Sequence, residues 1–129
     1  MAVTHSTAAR NAATDAVTAL IGASGNLVFR VTGTVGAPGT AVATLPLSAD
    51  AFGDSSSGTA TANAITSDTN ATGNASAVET ATLETSAGTV VIHCAVAASA
   101  SDINMTNGLT VASGDTVSCS SLTYTALSA

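Results

Sequence analysis

Side chains able to do chemistry are few in this 129-residue chain, and their spacing scatters them. Two histidines, two cysteines, eight carboxylates and two arginines are the inventory, and no lysine is present. The run Gly53-Asp-Ser-Ser-Ser-Gly58 invites comparison with a hydrolase nucleophile loop. A serine nucleophile needs a base within hydrogen-bond reach, oriented by a third group. The imidazoles are His5, in the leading arm, and His93, inside a strand pattern, so the serines read as a polar surface loop. His93 and Cys94 adjoin, and alternation along a strand sends them to opposite faces, away from any shared metal. Cys94 keeps the parity of Ile92 and Val96 and reads as a small buried residue. Without a CxxC spacing or an export signal, reduced thiols are expected at Cys94 and Cys119, a disulfide between them being the alternative.

The carboxylates fare no better as a catalytic set. Glycoside hydrolysis needs two convergent carboxyl groups. Glu79 and Glu84 are an odd number of residues apart and face opposite ways on one regular strand. Asp50, Asp54, Asp68, Asp102 and Asp115 fall in predicted loops, where solvated turn aspartates are the expectation. None forms the D-x-[DN]-x-[DN]-G calcium loop. A Walker phosphate loop is excluded because it requires a lysine. No catalytic residue, cofactor site or metal site is therefore expected. Arg10 and Arg30, the permanent cations of an acidic chain, have two readings. Each balances a local carboxylate, or each docks onto an acidic neighbour, where a planar bidentate donor is hard to replace.

The surrounding composition explains this sparseness. Ala, Thr, Ser and Gly supply 77 of the 129 residues, and Val, Leu, Ile and Phe only 26. Such a core is thin at about 25 cal/mol per Å² of apolar area buried. Oligomerisation, or docking onto a larger body, is expected to add stability. A formal charge of −6 offers no counterion-releasing surface for nucleic acid, and two Phe and one Tyr make no stacking platform. No apolar run of about 20 residues reads as a membrane span, and the N-terminus lacks the pattern of a signal peptide.

The elements that must position these side chains can be read from periodicity. An uncharged arm, residues 1–6, precedes a helix predicted over 7–21, and residues 7–129 read as one domain. Ala9, Ala13, Ala16, Val17, Leu20 and Ile21 form an apolar stripe that permits close approach to another surface. Arg10, Asn11, Thr14, Asp15 and Thr18 take the other face. Thr4 or Ser6 can cap the start, and Gly22 suits a left-handed end. Beyond Gly25 the period becomes two. Strands are predicted near 27–32, 41–47, 59–66, 71–84 (one long strand, or two short ones broken at Gly73-Asn74) and 90–96, with a hairpin at Thr85-Ser-Ala-Gly88. A second tight hairpin is predicted to join 109–111 and 116–119 through Ser113-Gly-Asp115, with a bulge near Ser120-Ser121. Residues 98–107 read as a loop, and Phe52 as the pin of the 48–58 loop. The sum is a mainly β fold: an antiparallel sandwich or barrel-like domain of about seven or eight short strands with one N-terminal helix. Its predicted core is Leu27, Phe29, Leu45, Phe52, Leu83, Val90, Ile92, Val96, Val111 and Val117.

A family likeness follows from the order of short motifs. Ala8-Ala-Arg-Asn-Ala12 is followed by Gly25-Asn-Leu-Val-Phe29, Ala43-Thr-Leu-Pro-Leu47, Ala51-Phe-Gly53, Ala71-Thr-Gly73, Gly88-Thr-Val-Val91 and Gly114-Asp-Thr-Val-Ser118. This order resembles the head decoration, or cement, proteins of tailed bacteriophages. The resemblance implies a structural virion protein on the outer capsid surface that clamps capsomer junctions and assembles in the host bacterial cytoplasm. It implies the major capsid protein as partner and no catalytic residues. A homo-oligomer is expected, a trimer ahead of a dimer, with no nucleic acid and no membrane. Val3, Thr4, His5, Arg10 and Arg30 are the expected contact residues. Rival readings are a tail or baseplate accessory protein and a secreted adhesin-like or ice-binding module, for which Thr59-Ala-Thr61 and Thr80-Ala-Thr82 are the hints.

Overall fold

Ser6 starts the helix of this chain by accepting the Ala9 amide on its hydroxyl, 3.1 Å away. In the computed structural model, which describes residues 3–129, α1 spans Thr7–Ala19. Met1 and Ala2 of the expected arm lie outside the described residues. The predicted end at 21 is two residues long. Leu20 and Ile21 close the helix with i→i−3 bonds to Val17 and Thr18, and Gly22 then takes the left-handed conformation at φ +69°. That closing turn swings Ile21 into the core while Leu20 stays in solvent.

Seven strands follow: β1 Asn26–Arg30, β2 Ala41–Pro46, β3 Thr59–Thr61, β4 Thr80–Glu84, β5 Val90–Ala97, β6 Ile103–Asn104 and β7 Thr123–Thr125. The mainly β fold with one helix is as predicted, built as a curled half-barrel sheet in the order β2-β1-β4-β5-β6 and a small β3-β7 sheet. Neighbours pair antiparallel except β5 and β6. Pro46 sits at the end of edge strand β2, where its missing N–H is tolerated.

Register puts the core together in two rows across four strands. One row is Leu45, Leu27, Leu83 and Ile92; the next is Ala43, Phe29, Ala81 and Cys94. Phe29 thus lies between two alanines whose small side chains leave room for its ring. Eight of the ten predicted core residues are buried, and Phe52 pins its loop as expected. Val90 and Ile92 are only half-buried. A register shift opposite Leu83/Glu84 inserts an extra residue in β5, so Val91 rather than Val90 packs against the core. In the Thr/Ala run at 59–66 only Thr59–Thr61 is strand, and Ala60 is the residue turned inward.

The predicted second hairpin does not form. Asp115 closes a turn on Ala112, but residues 109–117 run on beside 68–78: Asp68 bridges Val117, and the Ala71, Asn74 and Val78 amides donate to Asp115, Val111 and Leu109. Only 80–84 of the predicted 71–84 strand is regular for the same reason. Thr, Ser and Ala on both faces leave register unspecified, so a distant partner displaces the nearby one. The 98–107 loop also contains β6, whose Ile103 side chain is buried beside β5. No paired strand passes Ser120-Ser121, and irregular chain rather than a bulge carries the parity change from buried Val117 to buried Leu122.

Candidate functional site

The helix docks on the body through its polar face. Ser57 and Gly58, at φ +52° and +82°, form the two-residue turn between Ser56 and Thr59, which exchange backbone hydrogen bonds. Helix side chains read that turn atom by atom. Arg10 donates one N–H to the Ser57 carbonyl at 2.7 Å and its Nε–H to Leu127 O at 3.2 Å. Asn11 Oδ1 accepts the Gly58 amide at 2.7 Å, and Thr14 Oγ1 donates to Gly58 O at 2.6 Å while accepting from the Ala126 amide. Asp15 Oδ1 accepts the Ser55 amide, and Ser55 Oγ donates to Asn11 O. The serine run is therefore the helix's receptor. A Cβ on Gly58 would lie 3.0 Å from Arg10 Nε in a left-handed conformation, so a larger residue there would be strained and would push the Arg10 side chain aside.

Magnitudes explain why the polar face goes inward. Burying an Ala methyl contributes about 0.8 kcal/mol, and a net hydrogen bond about 1 kcal/mol, more where a charge is involved. Seven hydrogen bonds to the turn and the C-terminal segment outweigh four alanine methyls. Replacing Thr14, fully buried, with Val keeps its shape and leaves Gly58 O and the Ala126 amide without their partner. The expected loss is about 2 kcal/mol in urea unfolding; a change within about 0.5 kcal/mol, the range of ordinary surface substitutions, would overturn this account of the clasp.

The outward face of α1 is consequently apolar. Ala9, Ala12, Ala16, Ala19 and Leu20 are exposed, Leu20 to 66 %, and Val3, in the arm ahead of the helix, is exposed to 76 %. No charged or hydroxyl side chain interrupts this strip between Ala8 and Leu20 on its outer side. A second open feature is the outer edge of β5. Val96 N–H donates to Glu79 O, so alternation turns the His93 main-chain groups away from β4, toward an edge where β6 covers only Val96 and Ala97. The His93 ring Nε2 is buried with no hydrogen-bond partner among the described residues.

Arg30 takes the first of its two readings. It pairs with Glu84 at 3.0 Å and also donates to Thr82 Oγ1 and Gly39 O, while Thr82 Oγ1 donates to the same Glu84 oxygen. Gly39 belongs there because a Cβ would collide with the Thr32 carbonyl. Arg10 finds carbonyls rather than a carboxylate. Val3, Thr4 and His5 are exposed, and His5 Nδ1 lies 2.7 Å from Ala129 O. The expected contact residues thus divide into an exposed group at 3–5 and two arginines held by the fold.

A cleft of about 510 Å³ opens between residues 102–111 and 115–123. Its carboxylates, Asp102 and Asp115, accept the amides of Ala95 and Ala112, so each fastens backbone. Cys94 and Cys119 are free thiols. Burial, with Asp102 adding to it, pushes the Cys94 thiol up to about 11, and burial raises Cys119 as well. Both are thereby weak nucleophiles near neutral pH. Among the described residues no group of three or more His, Cys, Asp or Glu side chains is placed to hold a metal ion, and no helix is long and apolar enough to cross a membrane. Compared with protein-family models, curated proteins and solved structures, the chain matches none of them.

Sequence reasoning passed over Asn11, Thr14 and Asp15 as docking residues. Their spacing, with Arg10 and Thr18, was visible as one polar stripe; the missing information was the serine loop 40–47 residues away that they bind.

Proposed function

We propose that this chain is a structural virion protein that binds the outer surface of a bacteriophage capsid and stabilises capsomer junctions. The observation that carries the reading is the helix, whose polar side chains are spent on the body and whose outer strip of Ala9, Ala12, Ala16, Ala19 and Leu20 is left in solvent. A face of small side chains permits close backbone approach to a partner. The major capsid protein is that partner, and the resemblance of the motif order to that of phage decoration proteins supports the choice. A strip 13 residues long spans about 20 Å. It is too small to reach the roughly 800 Å² per partner of a stable pairwise interface, so attachment relies on several contacts made at once, as in a trimer bridging neighbouring subunits.

The test is occupancy on expanded capsids, read by cryo-electron microscopy of particles mixed with purified protein. Ala9→Glu and Ala16→Glu place charges on the outer face without touching the turn beneath. Each is expected to lower occupancy by about tenfold, since about 1.4 kcal/mol of lost contact gives that ratio. Full occupancy by both variants, or density of the parent chain on the tail instead of the head, would overturn the reading. Arg10→Glu, by contrast, tests folding, because Arg10 holds the chain's own carbonyls.

A further inference from the structure

Seven asparagines differ in how firmly their side chains and the following amides are held. Asn11, Asn63, Asn74 and Asn104 have their side-chain amides in hydrogen bonds, and each precedes a residue with a Cβ. Asn70 precedes Ala71, whose N–H is engaged by Asp115 O. Asn26 lies within β1. Asn107 differs on every count. It is exposed in a turn between β6 and Val111, and no hydrogen bond holds its side chain among the described residues. Its successor is Gly108, at φ +107°, with open space where a Cβ would be and no acceptor for its N–H among the described residues.

We propose that Asn107 is a site of spontaneous deamidation that converts it to aspartate or isoaspartate in the folded protein. The Gly108 nitrogen, having lost its proton to base, attacks Asn107 Cγ. A Cγ–N bond forms, the Cγ–Nδ2 bond breaks, and ammonia leaves with a proton taken from water. Water then opens the resulting five-membered imide: attack at Cγ breaks the Cγ–N bond and gives aspartate, whereas attack at the Asn107 main-chain carbonyl breaks its C–N bond and leaves the chain linked through Cγ as isoaspartate. No oxidant or other co-reactant is needed. Glycine matters twice: no side chain shields its nitrogen, and its backbone reaches conformations that other residues avoid.

The position gives the change a structural consequence. Asn107 and Gly108 line the cleft that also holds Asp102 and Asp115, so each event adds a carboxylate to an already acidic rim. An isoaspartyl link also lengthens the main chain just before Leu109, whose carbonyl accepts the Val78 amide and ties 109–117 to 68–78. Ageing of the protein is thereby directed to one turn.

The experiment ages the folded chain in mildly alkaline buffer and follows every asparagine by peptide mapping, with fragmentation that separates aspartate from isoaspartate. Asn107 is expected to convert first, at a rate about tenfold above any other asparagine, the ratio that about 1.4 kcal/mol of barrier gives. Gly108→Ala should slow the conversion by a similar factor, and Asn107→Gln should abolish it while leaving the fold intact. The inference is overturned if Asn107 keeps its amide while another asparagine converts, or if the Gly108→Ala protein converts as fast as the parent.

Discussion

Arg30→Met will destabilise the protein by about 3–5 kcal/mol, the cost of leaving a buried charge without its partner. The Arg30 and Glu84 side chains are 14 % and 10 % exposed, and the guanidinium is the cation that meets the Glu84 carboxylate. Methionine fills much of the same volume and supplies no donor. Thr82 Oγ1 then gives Glu84 its remaining hydrogen bond, and Gly39 O loses its partner. The double variant Arg30→Met with Glu84→Leu is expected to recover most of the loss, because both desolvated charges are gone. Urea unfolding of both variants decides the matter. A loss below about 1 kcal/mol for Arg30→Met, the level of an exposed ion pair, would show that water reaches the pair.

Leu27→Ala carries the second large effect, about 2–5 kcal/mol. Leu27 is fully buried and pairs with Leu45 on one side and Leu83 on the other, so the cavity would open in the middle of the four-strand row. Neighbouring alanines cannot fill it. In a protein with 26 large aliphatic or Phe residues, that is a large part of the usual 5–15 kcal/mol of net stability. Leu20→Ala removes the same atoms from a side chain in solvent and should stay within about 0.5 kcal/mol. Equal losses for the two, measured by thermal and urea unfolding, would contradict the division between core row and outer helix strip.

Much of the backbone was legible in advance. Ser6 and Gly22 bounded the helix, because a side-chain cap and a left-handed glycine act within one turn of the residue that supplies them. Alternation at 27–31 and the Thr85–Gly88 turn predicted β1 and the β4-β5 hairpin for the same local reason. Phe52, the lone large apolar residue in its loop, was bound to go inward. The misreadings share a cause. Val90 lost its place to Val91 through a bulge, and 109–117 left its predicted hairpin for 68–78, because side chains as alike as Ala, Ser and Thr distinguish poorly between registers and partners.

The candidate contacts divide the same way. Residue order by itself determined that α1 has an apolar and a polar stripe, that its chemistry-bearing side chains are few, and that Arg10 and Arg30 must find acceptors. Only the tertiary structure decided which helix face lies inward and what each arginine meets. Alanine gains so little from burial that an Ala stripe does not fix a helix's orientation, whereas a matched set of hydrogen bonds does. Those partners are far away along the chain: Ser57 and Gly58 for the helix, Glu84 for Arg30. No periodicity connects residues 44, 47 or 54 positions apart, so their meeting follows from the sheet that carries them and not from their spacing.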